Sequence, residues 1–170
     1  NYASAGTGGS AHLAAELFKS MAGIDMAMIP YKGAGPALIA LMANEVQAIF
    51  ATATAATAHI QTRKLKALAV TTAAPSALVP GIPTMAASGL PGYEFATITG
   101  FLAPAGTPAQ VIRRLNQEIN RVLEQPDIKE RSLKTGVEAV GNTPAQYSKI
   151  MKSEMARVGK LISEKDIRAE

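Results

Sequence analysis

Residues 1–50 read NYASAGTGGSAHLAAELFKSMAGIDMAMIPYKGAGPALIALMANEVQAIF, and the order of textures along that stretch decides the fold. A strand end at Tyr2 and Ala3 gives way to a run of small residues, Ser4-Ala5-Gly6-Thr7-Gly8-Gly9-Ser10. From residue 11 to 21 apolar side chains recur at 13, 14, 17, 18 and 21, the spacing of an amphipathic helix. Ser10 or Thr7 is available as its N-cap, and Gly23 as its stop. Residues 26–29 read as a short buried strand and 30–36 as a loop. Pro36 fits the first turn of a second helix ending near Met42. Residues 46–50 form the next strand.

Outward from there the alternation continues. An Ala/Thr stretch over 51–58 leads into a short helix holding His59 and Ile60. Residues 65–71 (LKALAVT) have the unbroken apolar character of a parallel strand covered on both faces. Strand, helix and strand in short alternation predict an α/β protein, a parallel-type sheet flanked by helices. Residues 73–92 are rich in proline and glycine and read as irregular, with a short helix near 84–87. Residues 93–103 (YEFATITGFLA) read as a long strand. Thr107-Pro108 and Thr143-Pro144 each open an amphipathic helix, with threonine as N-cap and proline at the first helical position. Their apolar stripes run through 111–123 and 147–162. A short helix over 126–134 and a short strand over 137–140 lie between them. Charge density rises near residue 93, which places a boundary between a unit at 1–97 and a segment at 98–170.

Composition removes several functional classes. With 170 residues and 48% apolar content the chain can bury a core. The absence of cysteine excludes a thiolate metal site, a disulfide frame and a cysteine nucleophile. The formal charge of +4 is spread among acids, with no basic stripe and no interleaved aromatics, so nothing points to nucleic acid. His12 and His59 are the only histidines, and only Glu16, one turn beyond His12, stands at ligand spacing; no metal and no cofactor is expected.

The loop over residues 4–10 carries the most chemistry. Glycine lets backbone approach a ligand, and the N-terminus of the following helix offers unpaired N–H groups with partial positive charge. That suits an anion, although a plain tight βα turn has the same composition. No Gly-Lys-Ser/Thr follows, which excludes a Walker A loop. Residue 11 is alanine, which excludes the dinucleotide fingerprint. Ser4-Ala5-Gly6 approaches a nucleophile elbow, but Tyr2 holds the first glycine position; a hydrolase using Ser4, with His59 recruited as base, is the alternative function. His12 either supports the loop or donates to the anion. In an open parallel sheet the crevice lies beyond the carboxyl ends of the strands, which here are the loops at 4–10, 31–35, 51–54 and 71–74. Lys32 is their one charged side chain, and no base–nucleophile pair appears, which favours binding over turnover.

Taken in order, SAGTGGSAHLAAELF, IPYKGAGPAL, VQAIFATATAATAHIQTRKLKALAVT, GIPTMAASGLPGYE and FLAPAGTPAQVIRRLNQEI resemble the substrate-binding receptors of tripartite tricarboxylate transporters, the Bug family. The resemblance implies a two-lobed flytrap of the periplasmic binding protein fold, in the periplasm of a Gram-negative bacterium. It would bind a small organic acid, commonly a di- or tricarboxylate, pass it to a membrane permease and catalyse nothing. It further implies that this chain holds the second lobe (1–97) plus the C-terminal return into the first (98–170), the N-terminal part of the first lobe lying outside it. Carried over, Ser4, Ala5, Gly6, Thr7, Gly8, Gly9, Ser10 and His12 look like the anion loop. Tyr31, Lys32 and Gly33 resemble the next cleft edge, and Ala51 and Thr52 the third. Many relatives carry aspartate where this chain has Ala51, so the resemblance implies a site less suited to an ammonium group.

Overall fold

The computed structural model describes residues 1–167. Among them a three-stranded sheet is built from β1 (Tyr2–Ser4), β2 (Met28–Pro30) and β3 (Ala48–Ile49) in the order β2-β1-β3. Both pairings are parallel, with Tyr2 opposite Met28 on one side and Ala48 on the other. Helices α1 (Ser10–Ala22) and α2 (Ala34–Met42) are the crossovers, and α3 (Ala53–Gln61) follows β3. After a long irregular stretch come α4 (Ala109–Leu123), α5 (Pro126–Lys134) and α6 (Pro144–Glu164).

β1 is central, and all three of its residues are fully buried. Because successive strand side chains point to opposite faces, Ala3 and its neighbours Tyr2 and Ser4 serve different layers. Ala3 packs with Ala37 and Ala40 of α2 and with Val46, a contact that small side chains allow to be close. On the other face the Tyr2 hydroxyl donates to Glu16 of α1 at 3.0 Å. The rings of Tyr2 and Phe18 both meet Phe50. The sheet is therefore covered on both faces, as its continuous apolar strands require.

The second core joins α1 to the C-terminal part. Leu13 and Ala14 pack with Tyr93, Phe95 and Leu161 of α6. The Tyr93 hydroxyl donates to the Ala14 carbonyl at 2.9 Å. The Arg157 guanidinium stacks over the Phe95 ring, donates to the Glu94 carbonyl and pairs with Glu154.

Several sequence expectations need correction. Residues 65–71 form no strand; their only ladder contact is a parallel bridge between Val70 and Thr84. β3 pairs over two residues only, too short an edge to seat another strand, and Leu68 is left 72% exposed. Residues 93–103 are extended without a ladder: Tyr93 and Phe95 are buried alternately, but Phe101 and Leu102 lie open to solvent. No strand forms over 137–140, and 84–87 is a turn closed by the Ser88 N–H on the Thr84 carbonyl. The N-cap of α1 is Gly9 rather than Ser10 or Thr7. Thr107 bonds the Pro104 carbonyl instead of capping, and α4 begins one residue after Pro108. Thr143 does cap α6, in a reciprocal capping box with Gln146. Gly23 ends α1 in the left-handed conformation, as expected.

Candidate functional site

The loop after β1 is held from within. Ser4, fully buried, donates its hydroxyl to the Gly6 carbonyl at 2.9 Å and accepts the Gly6 N–H at 3.4 Å. Gly6 and Gly8 adopt positive φ, at 146° and 75°, where a side chain brings strain. The Gly8 N–H donates to His12 Nδ1 at 3.0 Å. That nitrogen is therefore unprotonated, and the proton of the neutral ring sits on Nε2, 3.9 Å from Glu16 Oε1. The same Glu16 oxygen accepts the Tyr2 hydroxyl and the Lys19 ammonium at 2.8 Å. Burial pushes the His12 pKa down, Lys19 adds to that, and Glu16 opposes it. Burial, with Glu16 beside it, pushes the Tyr2 pKa up, so the phenol stays a donor.

Beyond the carboxyl ends of the strands lies a cavity of about 150 Å³. It is lined by Ala5, Gly6, Gly9, Ser10, Ala11, Ala34, Ile49, Phe50, Ala51 and Thr52. The first turns of α1 and α2 and the N-cap of α3 all reach it, and in none of these helices does a side chain cap the end. The first N–H groups of a helix have no intrahelical acceptor, so three sets of donors and three positive dipole ends converge on one space. No charged side chain lines it. The hydroxyls of Ser10 and Thr52 have no partner among the described residues.

Six of the thirteen residues singled out in the sequence meet at this cavity: Ala5, Gly6, Gly9, Ser10, Ala51 and Thr52. Ser4 and His12 lie beneath it and hold the loop. Thr7 and Gly8 are off its lining, Tyr31 packs into the α2 layer, Lys32 is exposed, and Gly33 is the N-cap of α2. Sequence reasoning missed Ala11, Ala34, Ile49 and Phe50. Ala34 lies inside the 31–35 loop already placed at the crevice, Ala11 and Phe50 lie one residue beyond the loops at 4–10 and 51–54, and Ile49 lies two residues before the latter, so the crevice rule extended by two residues into each helix and strand would have included them.

The profile of the tripartite tricarboxylate transporter family receptor matches residues 1–167. The chain belongs to that family. A UPF0065 protein from Pseudomonas sp., encoded between tcbD and tcbE, is 38% identical over 96% of this chain and 49% of its own length. BugT of Bordetella pertussis is 34% identical over 92% of this chain and 48% of its own. The chain thus spans about half the length of these curated relatives. Among solved structures, an R. palustris protein with adipate superposes with a TM-score of 0.84 at 31% identity, over 98% of this chain and 56% of that one. MatC from Rhodopseudomonas palustris with bound malate gives 0.78 at 28%, over 95% and 56%. Membership in this receptor family sets the hydrolase alternative aside. The geometry agrees, since the Ser4 hydroxyl is fully buried and committed to the Gly6 carbonyl.

Proposed function

We propose that this chain is the second lobe (1–97) and the returning segment (98–170) of a periplasmic receptor. It takes one carboxylate of a small di- or tricarboxylate on the cavity at the N-termini of α1, α2 and α3. The completed receptor delivers that acid to the membrane permease of a tripartite transporter. The observation that carries the reading is the convergence of three helix ends, none capped by a side chain, on a cavity without charged side chains. Such a site neutralises an anion with backbone dipoles and leaves the ligand's charge uncancelled by any lysine or arginine. The cavity is about half the roughly 300 Å³ at which ordinary ligand pockets begin, so it suits one end of a ligand whose other end meets the remaining lobe. The relatives solved with adipate and malate support a carboxylate.

The lining contains no aspartate or glutamate to pair with an ammonium group. Thermal-shift measurements with adipate, malate and citrate should therefore raise the melting temperature more than equal concentrations of aspartate or glutamate. Stabilisation led by the amino acids would contradict this reading.

A further inference from the structure

Behind the cavity stands a buried polar cluster that the receptor reading does not use. His12 is 8% exposed and has one ring nitrogen on the loop and the other toward Glu16. The groups that face it are Glu16 and Lys19 on its own helix, with the Tyr2 hydroxyl from β1 and Asp25, beyond α1, attached through Glu16 and Lys19. Two donors, the Tyr2 hydroxyl and the Lys19 ammonium, bond one Glu16 oxygen, and that same oxygen stands 3.9 Å from Nε2. Between Gly6 and His12 the loop has few anchors: the Ser4 hydroxyl at Gly6, a long 3.4 Å bond from the Gly9 N–H to the Gly6 carbonyl, the Leu13 N–H on the Gly9 carbonyl at 3.0 Å, and the imidazole at Gly8.

We propose that His12 is the positioning residue of the anion loop and makes its hold on a carboxylate pH-dependent, fixing Gly8 while the ring is neutral and releasing it on protonation. This rests on the receptor reading only for the identity of what the loop holds. Nδ1 accepts the Gly8 N–H through its lone pair. A proton placed there leaves two donors facing each other, so the bond cannot survive. Glu16 would welcome the imidazolium, but burial and Lys19 outweigh it and lower the His12 pKa below the ordinary imidazole value of about 6.5. The sign follows: the folded state prefers the neutral ring. The latch and its share of stability are present above the ordinary histidine range and are lost as pH falls. Loss of Gly8 frees the backbone that leads into Gly9 and Ser10, which line the cavity.

The test uses the ligand-free chain. Long-range ¹H–¹⁵N spectra should show His12 protonated at Nε2 and bare at Nδ1 near neutral pH. The exchange protection of the Gly8 amide, corrected for intrinsic rates, should fall about tenfold as His12 titrates, the worth of one hydrogen bond. In His12→Asn the Oδ1 atom stands near the place of Nδ1 and does not titrate, so Gly8 protection should persist across the same range. In His12→Leu it should be low throughout. Should a variant fail to fold, the pH series on the unaltered chain decides by itself. Gly8 protection that is indifferent to the His12 titration, or an Nδ1-protonated tautomer at neutral pH, would overturn the proposal. Adipate binding that is absent while the latch titrates as described would count against the receptor reading and leave this inference standing.

Discussion

Ser10 and Thr52 differ from the other hydroxyl residues of the site in having both a place on the cavity and no internal partner. Each is free to donate to a carboxylate, and a charge-assisted bond of that kind contributes about 1–3 kcal/mol. Ser10→Ala and Thr52→Ala should each weaken adipate binding by about that amount, read from titration of the ligand. Thr7→Ala, whose hydroxyl is off the lining, should leave affinity within about 0.5 kcal/mol. Gly6 tests the loop in another way. A methyl there meets no atom within 4 Å, so the cost of Gly6→Ala is backbone strain at φ 146°, of order 1–3 kcal/mol of stability by urea unfolding. At this scale the sequence was informative because glycine and small hydroxyl residues at a strand-to-helix junction have few purposes. It could not say which of them face inward. That division between Ser4 and His12 below and Ser10 above comes from hydrogen bonds between residues close in sequence but set by three-dimensional geometry.

Among the elements, the helices were legible and the strands only in part. Periodicity reports which faces are buried, not whether a ladder partner stands alongside, so 65–71 and 93–103 show strand texture yet form no ladder among the described residues, only the Val70–Thr84 bridge and a single bond from the Phe95 N–H to the Thr71 carbonyl. Caps were legible where side chains make them, as at Thr143, and misread where backbone alone starts the helix, as at Gly9. Thr143→Ala should cost about 1 kcal/mol of stability through loss of the capping box. A less obvious contact ties the C-terminal segment to the site. Gly136 has φ 79°, and a methyl added there would stand 2.5 Å from the Thr54 backbone nitrogen, in the first turn of the helix whose N-cap, Thr52, lines the cavity. Gly136→Ala should lower the denaturation midpoint, costing about 1–3 kcal/mol, and should shift the amide resonances of Thr52 and Thr54. A change in stability without that shift would separate α3 from the 136 turn.

For the whole molecule, the exposed apolar surface is the main physical fact left over. α4 buries no residue, and Val111, Leu115 and Val122 of its apolar stripe are exposed, as are Phe101, Leu102, Ile150 and Met155. Exposed large apolar side chains in such number are an association hazard, and they belong to the segment proposed to return into the first lobe. Light scattering should find the isolated chain self-associating. Charged substitutions at Leu115 and Phe101 should favour the monomer without disturbing the cavity. A two-lobed site also gains affinity by closing on both ends of its ligand. One lobe alone, forgoing about 3–4 kcal/mol, should bind at near-millimolar strength where the complete receptor binds at micromolar. The measurement that bears most directly on the account is therefore a ¹H–¹⁵N titration of this chain with adipate into the millimolar range. Saturable shifts are expected at the amides of Gly9, Ser10, Ala11, Ala34 and Thr52. Shifts confined to other residues, or none at these five, would contradict it.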